Sequence, residues 1–241
     1  MADSLLNNIA VLIDADNAMV HSIPNVLRQI ALSGRISLKR AYGNWTKDIL
    51  SSWEPVLKAQ AIHPMHQIDF VKNKNATDIA VVIDAMDLLH SGIYDGFAIV
   101  SSDSDFTPLA IRLKESGVKV IGCGGKNTPE SLIQACDDFY RFESNGQLAE
   151  NGAVAKKSKP SKEDIDGLHT LLKEAFDHYQ TDAGYALLSN AGLFVRRARP
   201  DFDIRAYGVT GLAAFLENNP DIYELSYDYS SGVKVVSYRC K

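Results

Sequence analysis

Ser101-Ser102-Asp103-Ser104-Asp105-Phe106 puts two carboxylates and three hydroxyls into six consecutive positions. An apolar run, Phe97-Ala98-Ile99-Val100, precedes it, and a helical spacing of Phe106, Leu109, Ala110 and Leu113 follows. The polar run therefore sits where a strand gives way to a helix, the usual ligand position in open α/β sheets. Two more carboxylates stand in comparable places. Asp14 ends the apolar run Ile9-Ala10-Val11-Leu12-Ile13, and Asp78 lies in the first turn of the helix after Lys72-Asn73-Lys74-Asn75-Ala76. If the first and fourth strands are neighbours, Asp14 and Asp103 face each other across a few ångströms, with Asp78 and Asp105 beside them. Four such carboxylates repel one another unless a hard cation lies between them, and an all-oxygen donor set suits Mg²⁺ or Mn²⁺. Such an ion lowers the pKa of a bound water and stabilises an in-line phosphoryl displacement. The plainer reading is that Ser104 or Asp105 only caps the helix; a cap needs one such residue, and this turn has five.

The elements that must position these groups alternate between strand and helix. Strands are expected at Ile9–Ile13, Ile36–Tyr42, His66–Val71, Phe97–Val100, Val118–Ile121 and Phe139–Phe142. Helices are expected from Pro24 to Ser33, closed by Gly34, and from a Thr46 or Asp48 cap to about Gln60. Others are expected from Thr77 to His90, after Ser104, and from Pro129 to Cys136. Pro at a first turn and Gly after a last one mark such ends. The pattern predicts an α/β fold, a mainly parallel Rossmann-like sheet with helices on both faces.

Other residues invite chemistry less strongly. Asp16 or Asn17 could touch the site or merely shape a turn. Asp84 lies six positions after Asp78, about 240° round a helix, so it and Asp87 read as solvated or supporting groups. His63 and His66 lack a third ligand nearby. Gly122-Cys123-Gly124-Gly125-Lys126 lacks the spacing of a phosphate-binding P-loop and reads as a rim to the site. No Ser-His-Asp order and no nucleophilic cysteine competes with the carboxylates.

Composition narrows the classes. Across 241 residues, hydrophobic content of 46% and charged content of 23% describe an ordinary globular protein. No apolar run is long enough to span a bilayer, and there is no cleavable signal pattern. Three cysteines without a CxxC pair imply a reduced, cytoplasmic protein with no zinc site. A net charge of −5 offers no global attraction to nucleic acid, so binding must use local basic patches or metal ions.

Ile13-Asp14-Ala15-Asp16-Asn17, Asn75-Ala76-Thr77-Asp78-Ile79 and Ser101-Ser102-Asp103-Ser104-Asp105-Phe106 together resemble the NYN domains of the PIN-like nuclease superfamily, over residues of about 7 to 145. The resemblance implies a metal-dependent ribonuclease fold. It makes Asp14, Asp78, Asp103 and Asp105 the acidic metal site, with Asn17 and Ser102 beside it. Ser101-Ser102 stands where many relatives carry glycine, a change that removes no carboxylate.

Residues 146–161 read as a flexible linker carrying Lys156, Lys157 and Lys159, with Lys162 just beyond it. From 162 to 241 the pattern is three helices and a hairpin, a small winged helix-turn-helix. The helices are expected from Glu163 through Phe176, Ala186–Val195 (capped near Ser189) and Tyr207–Asn218. The hairpin pairs Ile222–Tyr227 with Val233–Tyr238. Leu188-Ser189, Phe202-Asp203, Tyr207-Gly208, Leu212 and Phe215-Leu216 resemble the OST-HTH/LOTUS domain, whose members bind RNA or act as protein-interaction modules. Arg196, Arg197, Arg199 and Arg205 could contact phosphates, or pair with Asp201 and Asp203 on a wet surface. Tyr223, Tyr227 and Tyr229 could stack bases or simply pack.

These readings converge on a Mg²⁺- or Mn²⁺-dependent endoribonuclease of two domains, 1–145 and 162–241. Asp14, Asp78, Asp103 and Asp105 would hold the metal and its water. Asn17 and Ser102 would orient water or phosphate, and Lys72, Lys74 and Lys126 would anchor RNA. One alternative is a non-catalytic RNA-binding or protein-interaction adaptor. Another is a haloacid-dehalogenase-like phosphatase built on Asp14-Ala15-Asp16, although Ala18 stands where that family expects Thr or Val. RNA is the expected partner, a protein partner for the second domain stays open, no membrane is involved, and a homodimer is not excluded.

Overall fold

A computed structural model describes residues 5–68, 76–142, 160–229 and 234–241. The chain divides into two compact units, Met1–Ala149 and Glu150–Lys241. Lys72 and Lys74, and Lys156, Lys157 and Lys159 of the expected linker, lie outside the described residues.

Six strands form the sheet of the first unit: β1 (Leu6–Asp14), β2 (Gly34–Gly43), β3 (His63–His66), β4 (Gly96–Val100), β5 (Lys119–Gly124) and β6 (Asp138–Arg141). All are parallel, in the order β3-β2-β1-β4-β5-β6. β1 and β4 are neighbours, with Ile13 opposite Val100. Between the strands run α1 (Ile23–Ser33), α2 (Glu54–Gln60), α3 (Ala76–His90), α4 (Thr107–Glu115) and α5 (Glu130–Ala135). A strand covered on both faces can be apolar at every position, and Ile9 to Ile13 is buried throughout. Ile9, Val11 and Ile13 pack with Ile23, Val26 and Ile30 of α1, whereas Ala10 and Leu12 pack with Val81 and Ala85 of α3 and Leu113 of α4. Chain order runs outward from β1 to one edge and from β4 to the other. The crevice at the carboxyl ends of β1 and β4 is therefore the switch point where ligands bind in such sheets.

Three local expectations are corrected. The third strand is His63–His66, with partners from Arg40↔His63 to Gly43↔His66, and Gln67 and Ile68 of the expected His66–Val71 follow its end while residues 69–71 lie outside the described residues. It lies at the sheet edge with both histidines exposed, so it has no apolar alternation to betray it. The helix expected from Thr46 to Gln60 is split into a 3-10 segment, Asp48–Trp53, and α2. Pro55 explains the break: it has no N–H to donate and its ring opposes the carbonyl four residues back. Thr46 caps nothing; its hydroxyl donates to Asn44. After β4 the chain makes one 3-10 turn, Ser104–Phe106, before α4, and the residue that caps it is Asp103, not Ser104 or Asp105.

α1 passes into β2 without a loop. Gly34 has φ 155°, and a Cβ there would lie 2.6 Å from the backbone nitrogen of Leu6, so glycine alone fits.

The second unit packs α6 (Lys162–Tyr179), α7 (Leu188–Ala198) and α8 (Leu212–Glu217) against a three-stranded antiparallel sheet. Its strands are β7 (Ala186–Leu187), β8 (Tyr223–Asp228) and β9 (Val235–Cys240). A capping box joins Ser161 and Asp164 at the start of α6. Two expectations shift here. Ala186 and Leu187 pair with β9 instead of opening α7, which has no side-chain cap at Ser189. The expected helix from Tyr207 becomes a 3-10 turn, Ile204–Tyr207, and a short α8, because Gly208 is left-handed at φ 76° and Gly211 is extended. The hairpin forms, with Tyr223 opposite Cys240 and Asp228 opposite Val235. Among the described residues, no helix is long and apolar enough to cross a membrane.

Candidate metal centre

Asp14 is the last residue of β1 and only 2% exposed. A buried carboxylate must be hydrogen-bonded, and this one accepts three times. Asn17 Nδ2 and Ser101 Oγ each donate to it at 2.8 Å, and the Asp16 amide donates at 3.2 Å. Burial raises its pKa, and the hydrogen bonds from Asn17 and Ser101 offset part of the rise. So placed, Asp14 is a buried carboxylate held by its neighbours at the end of β1.

Ser101 is the tie between the two central strands. Its hydroxyl donates to Asp14 and accepts from the Asp103 amide at 3.1 Å. The register puts it next to Asp14, since Ile13 is opposite Val100. Ser102, the serine expected beside the site, instead accepts from the Gly125 amide at 2.8 Å and pins the glycine-rich loop. Gly124 in that loop has no room for a side chain: a Cβ would lie 2.9 Å from the Ser101 carbonyl oxygen. The loop thus packs against the polar turn, with Lys126 exposed upon it.

Asp78, Asp103 and Asp105 converge. One oxygen from each lies within 4.8 Å of the others, the single group of this kind among the described residues. Asp103 also accepts the Asp105 amide at 2.9 Å. Burial, then the negative charges of Asp14, Asp103, Asp105 and Asp16, push Asp78 up to about 6. Asp14 is not part of the converging set; Asn17 and Ser101 both donate to its Oδ2 and the Asp16 amide to its Oδ1, yet it is the largest of the charges acting on Asp78. The donors fit a hard cation. Ligands at about 2.1 Å place opposite oxygens of an octahedral Mg²⁺ about 4.2 Å apart, so three oxygens within 4.8 Å of one another need draw together by no more than about 0.6 Å to share a shell with water.

Asp16 takes a separate part. Its Oδ2 accepts from Thr77 Oγ1 at 2.9 Å, and its Oδ1 lies 3.8 Å from Lys47 Nζ. Asp84 is half-buried and apart from the converging set: Arg40 Nη1 reaches its two oxygens at 2.5 and 2.6 Å, and the Tyr42 hydroxyl donates to it as well. Asp87 is exposed, as are His63 and His66.

A family description matches residues 8–145: the NYN domain. The chain belongs to the NYN domain family. An NYN domain is a PIN-like nuclease fold, and the parallel sheet with its acidic edge agrees with that assignment. Two solved structures are similar. One is a protein of unknown function from Vibrio parahaemolyticus, 20% identical, with a TM-score of 0.48 over 61% of this chain and 99% of the other. Another is an uncharacterized protein from Nitrosomonas europaea, 25% identical, with a TM-score of 0.30 over 39% of this chain and 88% of the other. No curated protein matches the chain.

In the second unit the four arginines divide. Arg205 forms a two-pronged pair with Asp203 at 2.9 and 3.3 Å. Arg199 reaches the Tyr207 hydroxyl at 3.3 Å and Asp164 at 3.9 Å. Arg196 and Arg197 are exposed in the last turn of α7, where a cation also suits the helix dipole. Tyr223 is buried and bonded to His169 at 2.8 Å. Tyr227 donates to Glu217 and lies under Lys234, leaving Tyr229, 64% exposed, open to solvent.

Proposed function

We propose that the NYN domain of this chain is a metal-dependent endoribonuclease. The observation that carries the reading is the convergence of Asp78, Asp103 and Asp105 at the switch point between β1 and β4. Mg²⁺ or Mn²⁺ bound there would supply an acidic water and neutralise charge on a phosphodiester. Asp78, Asp103 and Asp105 would hold the ion, and Asp14 would add its charge. Asn17 and Ser101 keep Asp14 ionisable and in place. Lys126, on the loop pinned by Ser102, stands at the same edge as a candidate backbone anchor, with Lys72 and Lys74 as further candidates. RNA is the substrate that membership of the family suggests.

The domain reading assigns 1–145 to the nuclease, 146–161 to a linker and 162–241 to an OST-HTH/LOTUS winged helix that selects RNA. A second reading for the last segment is a protein-interaction module. Two observations favour it: Arg199 and Arg205 are engaged within the unit, and residues 160–241 carry nine Lys and Arg against twelve Asp and Glu.

The test is cleavage of a labelled single-stranded RNA with Mn²⁺, with Mg²⁺ or with EDTA, wild type beside Asp78→Asn. Metal-dependent cleavage that the variant lacks supports the nuclease. Equal RNA binding by both proteins without cleavage refutes it in favour of the adaptor.

A further inference from the structure

Asp78 begins a helix and projects from its first turn, so its position depends on what holds that turn. The side-chain tie to a neighbouring element is Thr77, whose buried hydroxyl donates to Asp16 Oδ2 at 2.9 Å across 61 positions of sequence. Asp16 belongs to the turn after β1, where its amide donates to Asp14 Oδ1 at 3.2 Å. Its other oxygen faces Lys47 Nζ at 3.8 Å, on the loop after β2. One side chain therefore links the ends of β1 and β2 to the start of α3.

We propose that Asp16 is a positioning residue: acting through Thr77, it fixes the first turn of α3 and so sets where Asp78 presents its carboxylate to the cation. The role rests on the metal-dependent reading above. It also explains why an aspartate two residues from Asp14 stands apart from the converging set, since Thr77 and Lys47 occupy both of its oxygens. Outer groups that orient metal ligands commonly change metal affinity by about 10- to 100-fold when removed.

Loss of Asp16 alone is ambiguous, because it also deletes a charge that acts on Asp78. Thr77→Val is the decisive change: it deletes the donor, alters no charge and nearly keeps the shape. Mn²⁺ affinity of the full chain would be measured by titration calorimetry for wild type, Thr77→Val and Thr77→Ser. Amide exchange of residues 76–79 would be followed in EDTA. Thr77→Val is expected to weaken Mn²⁺ binding by about tenfold and to speed exchange in that turn, with Thr77→Ser restoring both. Equal Mn²⁺ affinity in wild type and Thr77→Val, whatever the exchange rate, overturns the positioning role alone. Wild type that binds no Mn²⁺ overturns the metal-dependent reading, and the role with it.

Discussion

Neutralising Asp103 should stabilise the metal-free protein while destroying its response to metal. Asp103, Asp78 and Asp105 bring oxygens within 4.8 Å of one another. At that separation two like charges cost about 0.9 kcal/mol in water and about 3.5 kcal/mol at an effective dielectric of 20. Asp105 is exposed and Asp78 and Asp103 are half-buried, so the lower figure is the better guide, and two such pairs sum to roughly 1–2 kcal/mol. Asp103 also caps the turn before α4 through the Asp105 amide. Asparagine caps as well as aspartate, whereas alanine forfeits about 1 kcal/mol. Asp103→Asn should therefore raise the melting temperature of the first unit in EDTA at pH 7.5 by about 2–6 °C. Asp103→Ala should fall below Asp103→Asn by about 1 kcal/mol. Wild type with Mn²⁺ at a hundred times its Kd should gain about 2.7 kcal/mol, and Asp103→Asn should gain little. Differential scanning calorimetry reads all of this. An Asp103→Asn protein less stable than wild type in EDTA, or one that keeps the Mn²⁺ gain, would refute the reasoning.

Three further outcomes follow from the same geometry. Asp78 is raised from 3.8 to about 6 in the fold, so the native state holds that proton more tightly than the unfolded chain. The resulting stability is complete below about pH 4 and lost as pH rises through about 6; Asp78→Asn should flatten that part of a melting-temperature profile recorded in EDTA, and an unchanged slope would exclude Asp78 as its source. Arg40→Met strips Asp84 of its cationic partner and should cost about 1–3 kcal/mol in urea unfolding, yet leave Mn²⁺ affinity within twofold; a large loss of affinity would tie Asp84 to the site after all. If the second unit binds single-stranded RNA through α7, Arg196→Ala with Arg197→Ala should reduce the slope of log affinity against log salt by about 1.4. An unchanged slope, measured by fluorescence anisotropy, would favour the protein-interaction reading.

Some of this was legible in the residues and some was not. Ile9–Ile13 and Phe97–Val100 declare themselves as central strands because burial on both faces leaves only apolar positions, and Asp14, Asp103 and Asp105 follow from where those runs stop, while Asp78 is read from the first turn of a helix. His63–His66 was misplaced because an exposed edge strand carries no such signal. Ser101 was passed over for Ser102 because the choice between adjacent serines depends on the β1–β4 register, which pairs residues 87 apart. The Thr77–Asp16 bond is equally non-local. Whether Asp84 was solvated or supporting stayed open because Arg40 and Tyr42 reach it from a strand 42 to 44 positions earlier. The break after Tyr207 could have been read from Gly208 and Gly211, both punctuation marks in a helical pattern.

The adjacency of β1 and β4 also sets a timetable for synthesis. β1 leaves the ribosome with its neighbour β2 following soon after, but the strand that covers its other edge ends at Val100. At translation rates of about 5–20 residues per second, that edge waits roughly 4–18 s with its amides and carbonyls unpaired. Ile9 to Ile13 spends the interval as an apolar strand with one open side, the kind of surface that chaperones hold and that templates misassembly. The same delay means that the acidic cluster comes together only after β4 and the turn behind it have emerged, so Asp78 waits for Asp103 and Asp105 before the three carboxylates can act as one set.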